Sequence, residues 1–195
     1  MAITARALLL CCLIATLPLT GCLTTEISST EVILVENEQS TNPCSTPSQS
    51  ATQTTALILV NDEMREFRMS VPSSEAGTKL PLIIAFHGGG GAEEDFQQQD
   101  EFDQLGEQEK FIMVYAIAED GRTSAEGEWF LNTAATSFED NDFAEAIVDN
   151  LSSQYCVDQD RLYGIGYSLG SMYTYEIACQ LNHRFAAVAS FAGTM

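Results

Sequence analysis

The stretch Arg161-Leu-Tyr-Gly-Ile-Gly-Tyr-Ser-Leu-Gly-Ser-Met-Tyr-Thr-Tyr-Glu-Ile-Ala-Cys179 constrains the fold of this chain more than any other. Leu162 to Ile165 is apolar and strand-like, whereas Leu169 to Leu181 lacks proline and is built mostly of good helix formers. Between them Gly166, Ser168 and Gly170 form a G-x-S-x-G pattern, which marks a sharp strand-to-helix turn. Such a turn holds its serine in a strained conformation, so its neighbours must lack bulky side chains. It also sets the hydroxyl of Ser168 at a helix N-terminus, where backbone N–H groups stabilise negative charge.

A second run, Pro81-Leu-Ile-Ile-Ala-Phe-His-Gly-Gly-Gly-Gly91, reads as a buried strand that ends in a glycine-rich loop. Glycines let backbone N–H groups approach a developing oxyanion without obstruction from side chains. A phosphate-binding loop would end in Gly-Lys-Ser/Thr; here Gly91 is followed by Ala92-Glu93-Glu94, and two carboxylates repel phosphate. The loop is therefore read as an oxyanion-binding one.

The N-terminus reads as a targeting segment. Arg6 precedes a short apolar run, Ala7 to Leu19, and Leu19-Thr20-Gly21-Cys22 has the small residues before cysteine of a bacterial lipoprotein cleavage site. The run is too short to span a bilayer comfortably. Residues 1–21 are thus expected to be a lipoprotein signal peptide with Cys22 lipidated, and the alternative is an ordinary secretory signal. Both place the protein outside the cytoplasm, and Leu23 after Cys22 points to the outer membrane. Residues 22–54, crowded with Ser, Thr, Gln, Asn and Glu, read as a solvated tether, within which Glu31 to Glu36 has the pattern of an isolated strand. Residues 55–195 are the expected folded part.

The charge of −20, from 28 acidic and 8 basic residues, opposes association with nucleic acid or anionic head groups. Membrane contact is expected only through the N-terminal lipid. No Cys/His cluster has ligand spacing, so neither a metal nor an organic cofactor is implied. Without the signal and with Cys22 lipidated, Cys44, Cys156 and Cys179 remain, an odd number that leaves at least one unpaired within the chain. Cys156 precedes the strand before Ser168 and Cys179 lies near the far end of the following helix, which returns antiparallel. Both then fall at one end of the sheet, and a Cys156–Cys179 disulfide is expected; the alternative is two separate buried thiols.

From residue 55 strands and helices alternate. Ala56–Val60 and Met64–Val71 form a hairpin around Asn61-Asp62, and Leu82–Phe86 is a third strand. Acidic helical segments lie between Glu93 and Lys110, and Phe111–Tyr115 is a fourth strand. A loop with Gly121, Gly127 and Trp129 leads to a helix near Asp142–Gln154, then come the strand and helix around Ser168 and a sixth strand, Phe185–Phe191. A hairpin followed by such alternation is the entry order of an α/β-hydrolase sheet.

From about residue 64 to 195 the chain resembles the secreted polyhydroxybutyrate depolymerase and feruloyl/acetylxylan esterase family of α/β-hydrolases. The resemblance rests on Phe86-His-Gly-Gly-Gly-Gly91, Trp129, Glu139-Asp140 through Phe143, Tyr155 to Arg161, Gly166 to Gly170, and Ala186 to Met195. It departs from the family at Leu169 and Ser171, where Asn and Gly are common; Ser171 is expected to tighten helix–strand packing. The resemblance implies a serine esterase with Ser168 as nucleophile and an oxyanion hole from the N–H groups of Leu169 and of Gly88 or Gly89. The substrates it implies are carboxylic esters, short-chain or aromatic, including the polymer-attached polyhydroxyalkanoate, feruloyl and acetyl classes. Trp129 is a candidate for the substrate cleft, or else a ring packed over the sheet.

The chemistry further needs an acid and a histidine after the serine. His87 belongs to the glycine-rich loop, and His183 lies at the far end of a helix that, at ~1.5 Å per residue, carries it roughly 20 Å from Ser168. Neither serves as the base. The expected architecture is therefore an α/β-hydrolase fold truncated after about its sixth strand, with Ala186–Phe191 left as an uncovered apolar edge. Two alternatives stay open: a serine peptidase of the same fold, and a lipid-anchored binding protein without turnover.

Overall fold

The computed structural model describes residues 42–45, 48–90, 101–118, 129–131 and 139–193. The expected signal peptide, Cys22 and the Glu31–Glu36 strand lie outside the described residues. Strand β1 (Thr52–Val60) turns at Asn61-Asp62 into β2 (Glu63–Val71). Both turn residues have positive φ, 50° and 68°, which Asn and Asp tolerate and which matches the twist of a two-residue hairpin. There follow β3 (Leu80–Phe86), helix α1 (Glu101–Glu109), β4 (Ile112–Ala116), helix α2 (Glu139–Gln154), β5 (Val157–Tyr167), helix α3 (Leu169–Gln180) and β6 (Ala187–Phe191).

These strands form one six-stranded sheet in the order β1-β2-β4-β3-β5-β6. The pairings β1–β2 and β2–β4 are antiparallel and the remaining three are parallel. The centre is apolar on both faces, as a sheet flanked by helices requires. Phe67, Leu82, Ile84, Phe86, Val114 and Leu162 face α2 and α3 and pack on Phe143, Ile147, Leu151, Tyr173 and Ile177. The alternate residues Ile83, Ala85, Met113, Tyr115 and Ile165 face the other way, with Phe102 of α1 against them. Among the described residues β6 is a sheet edge, with Phe191 54% exposed.

Cysteine pairing differs from expectation. The disulfide joins Cys44 to Cys156, 112 residues apart, and Cys179 is free and exposed. The reason is helical phase. α3 presents Gly170, Tyr173, Thr174 and Ile177 to the sheet, and Cys179, two residues beyond Ile177, points to the opposite side. Residues 42–54, assigned to the tether by their polar composition, are partly built into the fold. A short 3-10 turn (Pro43–Ser45) carries Cys44, Gln49 exchanges both backbone hydrogen bonds with Ser74 at 3.0 and 3.1 Å, and β1 begins at Thr52. Folding therefore starts ahead of residue 55. Among the described residues no helix is long and apolar enough to cross a membrane.

Candidate active site

Ser168 occupies the turn between β5 and α3 with φ 51° and ψ −115°, a conformation of positive φ that is costly for a residue with a side chain. The surrounding glycines allow it. A side-chain carbon on Gly166 would run into the Gly170 carbonyl and the Thr174 hydroxyl, and one on Gly170 would overlap the carbonyls of Phe86 and His87. Helix and strand can meet this closely only without those carbons. The Ser168 N–H donates to the Phe191 carbonyl at the end of the neighbouring strand, at 2.9 Å, and the Ser168 carbonyl accepts from Ser171 and Met172 to start the helix. The Leu169 N–H comes ahead of these bonds and has no carbonyl within the helix to receive it.

Gly88 lies against the serine. A side-chain carbon there would stand 3.3 Å from Ser168 Cβ and 3.3 Å from the Tyr167 ring. Gly88 is buried and Gly89 exposed. The loop is held from behind by His87, itself 1% exposed. The Ala118 N–H donates to His87 Nε2 at 3.0 Å, so the ring proton sits on Nδ1, which donates to the Gly88 carbonyl at 2.8 Å. Both ring nitrogens are engaged, which is why His87 is not available as a base. His183 is exposed in the turn after α3, with Nε2 3.4 Å from Glu145 Oε1.

Trp129 does not line an open cleft. It is 3% exposed, and its Nε1–H donates to the His87 carbonyl at 2.8 Å. Its ring stacks on Tyr173 and meets Phe86 edge-on, both with centroids 5.2 Å apart. A large ring whose one polar atom finds a buried acceptor packs here as a wedge under the glycine loop. Ser171 is fully buried, and its hydroxyl is among the buried polar atoms without a hydrogen-bond partner. Room for it comes from Gly193, where any side-chain carbon would collide with that hydroxyl.

Sequence reasoning assigns no role to the groups that brace this arrangement. Asp140, 2% exposed on α2, accepts from Arg65 of β2 at 2.8 Å and from the Phe130 N–H at 2.6 Å. It thereby ties the segment carrying Trp129 to the sheet. The Arg65 guanidinium also lies 4.1 Å over the Phe143 ring. Next to it the Tyr173 hydroxyl donates to Asn141 at 3.1 Å, and burial pushes that phenol well above its ordinary pKa. The signal is present as the Glu139-Asp140 to Phe143 stretch of the family resemblance, but a lone acid gives no hint of its partner. Among the described residues no cluster of three His, Cys, Asp or Glu side chains is arranged to hold a metal ion. A groove of about 560 Å³ lined by Gln53, Asp103 and Glu107 includes no residue of the Ser168 turn.

This sheet order, with a strained serine between β5 and α3 and a glycine loop after β3 beside it, is that of an α/β-hydrolase. Residues 108–195 match the prolyl oligopeptidase family. A putative esterase, NocK, of Nocardia uniformis subsp. tsuyamanensis is 30% identical over 158 residues, covering 76% of this chain and 44% of that protein. The bifunctional acetylxylan esterase/xylanase XynS20E of Neocallimastix patriciarum is 26% identical over 129 residues, covering 66% of this chain and 18% of that protein. Among solved structures, an acetyl xylan esterase from Aspergillus awamori superposes with a TM-score of 0.61 at 20% identity, over 72% of this chain and 52% of that one. The chain has the α/β-hydrolase fold, is similar in sequence to esterases, and spans less than half the length of these two sequence relatives.

Proposed function

We propose that the protein is an extracytoplasmic serine hydrolase acting on carboxylic esters, with Ser168 as the nucleophile. The carrying observation is the Ser168 conformation, φ 51° at the start of α3 with the buried Gly88 backbone against it. A residue in this region is retained where strain serves a purpose. Attack by Ser168 on an ester carbonyl turns the carbonyl oxygen into an oxyanion. The Leu169 N–H at the helix start and an N–H of the Gly88–Gly89 loop are the donors that would receive it. Such attack also needs an acid and a histidine to shuttle the serine proton, a role filled by neither His87, whose ring nitrogens are both engaged, nor the exposed His183. Likeness to acetylxylan and feruloyl esterases supports an ester substrate, including groups attached to a polymer. The short apolar run before Leu19-Thr20-Gly21-Cys22 supports export and acylation of Cys22.

Ser168→Ala should lower hydrolysis of a short-chain nitrophenyl ester by roughly 10⁴- to 10⁶-fold, with the circular dichroism spectrum unchanged. Undiminished turnover removes Ser168 from the mechanism. A second reading, a serine peptidase, is favoured by the match of residues 108–195 to the prolyl oligopeptidase family. Hydrolysis of a peptide amide at a rate matching that of the ester would select it.

A further inference from the structure

The parallel strands all point toward the serine. β3, β4, β5 and β6 end at Phe86, Ala116, Tyr167 and Phe191, and at this pole Gly88, Ala118 and Ser168 come together. The opposite pole holds the strand starts, where the Leu80 N–H donates to the Cys156 carbonyl at 2.8 Å. Cys44, Gln49 and Thr52 are each fastened there. Cys44 is bonded to Cys156, Gln49 pairs with Ser74, and Thr52 lies opposite Val71. From Leu80 to Gly88, which touches Ser168, the strand rises roughly 25 Å. Cys44 thus lies beneath β5, the strand that ends in the serine.

We propose that this fastening presents Ser168 away from the membrane, so that the enzyme takes esters from the surrounding medium rather than acyl lipids of the bilayer that anchors it. The proposal rests on acylation of Cys22. With the anchor attached at the far pole, turning the serine toward the bilayer requires the segment between Cys22 and Cys44 to pass around the flank of the sheet. That longer path removes conformations from the segment and is disfavoured by entropy. The Cys44–Cys156 bond sharpens the effect, because without it the attachment moves from beneath β5 to the sheet edge at β1.

Cys179 supplies a native handle, since it is free, exposed and near the end of α3, which runs back from Ser168. Protein purified from membranes is first weighed by mass spectrometry for acyl groups on Cys22, then placed in phosphatidylcholine vesicles carrying a head-group acceptor dye. A donor dye on Cys179 is compared with one on Glu63→Cys in a Cys179→Ser background. Glu63 is exposed beside the Asn61-Asp62 turn, at the pole of the serine. Energy transfer should be several-fold higher from position 179. Equal or reversed transfer in acylated protein overturns the orientation and leaves the anchor intact. A chain without acyl groups overturns the anchoring reading, and the orientation with it.

Discussion

Breaking the Cys44–Cys156 bond is the most direct test of how the N-terminal segment joins the fold. The bond closes a loop of 112 residues, and the chain-entropy model assigns such a loop about 5 kcal/mol. That figure is a ceiling, because a reduced denatured chain retains some compactness and real disulfides commonly give about 2 to 4 kcal/mol. A loss of about 4 kcal/mol is expected, which for a domain of this size lowers the midpoint of thermal unfolding by roughly 10 to 15 °C. Guanidinium unfolding of the oxidised protein, of Cys44→Ser, of Cys156→Ser and of the double variant measures it. If the cross-link is the cause, the single variants lose similar amounts and the double variant loses no more than either. Native-state thiol labelling of oxidised protein should modify Cys179 and spare Cys44 and Cys156. Equal stability with and without reductant, or protection of Cys179, would refute the reasoning. A large loss in Cys156→Ser alone would assign the effect to packing of the buried Cys156 instead.

Other perturbations test the frame around the serine. Asp140→Ala should cost about 3 to 5 kcal/mol in urea unfolding, because Arg65 stays buried without its partner. Pairing Arg65→Met with Asp140→Leu should recover much of that loss. Gly170→Ala should destabilise by about 3 kcal/mol or more, since the added carbon overlaps the Phe86 carbonyl and forces helix from strand; a change within about 0.5 kcal/mol, the scatter of neutral surface variants, argues against the contact. The Glu107 carboxyl is held down to about 2 from its ordinary 4.5 by hydrogen bonds from Lys110 and then Ser73. Its folded value lies below its unfolded one, so these bonds stabilise fully above about 4.5 and the contribution is lost as pH falls through 2. Carboxyl titration by NMR should find Glu107 near 2, and Lys110→Met should move it upward.

Much of this architecture is legible in the sequence because it follows from local patterns. The Asn61-Asp62 hairpin, the apolar runs of β3 and β4 and the turn at Ser168 each carry their own signal in a few neighbouring residues. What escapes is set by contacts distant in sequence. Cys44 sits in a polar segment that composition assigns to solvent, and its place beside Cys156 shows only in the folded chain, where Gln49 is also paired with Ser74. Cys179 is misassigned because the sequence pattern identifies the end of a helix but not its phase. Trp129 stays between two readings, since aromatic content does not reveal which way a loop residue turns. Its indole N–H meets the His87 carbonyl, and that decides the matter.

The placement of the arginines shows how so acidic a chain holds its helices. Only eight Lys and Arg residues face 28 carboxylates, so most acids have no cation to pair with and are best left in solvent. Among the described residues two arginines are nevertheless drawn into the interior, both on β2. Arg65 and Arg68 are three residues apart and so leave opposite faces of the strand. One reaches Asp140 on α2 at 2.8 Å; the other reaches Asp103 on α1 at 3.0 Å, where Tyr115 and Gln53 also donate. β2 thus acts as a crossbar that pins one helix on each side of the sheet. Replacing such pairs by apolar groups of matching volume need not cost stability, so their value lies in fixing register rather than in raw energy. That register matters on the Asp140 side, because Asp140 also holds the Phe130 N–H and, through that segment, the indole under the loop beside Ser168. On the proposed role of Ser168, Arg68→Leu with Asp103→Leu should therefore leave ester hydrolysis unchanged. Arg65→Leu with Asp140→Leu should slow it even where the melting temperature is preserved. Equal effects of the two double variants on turnover would show that the crossbar serves stability alone.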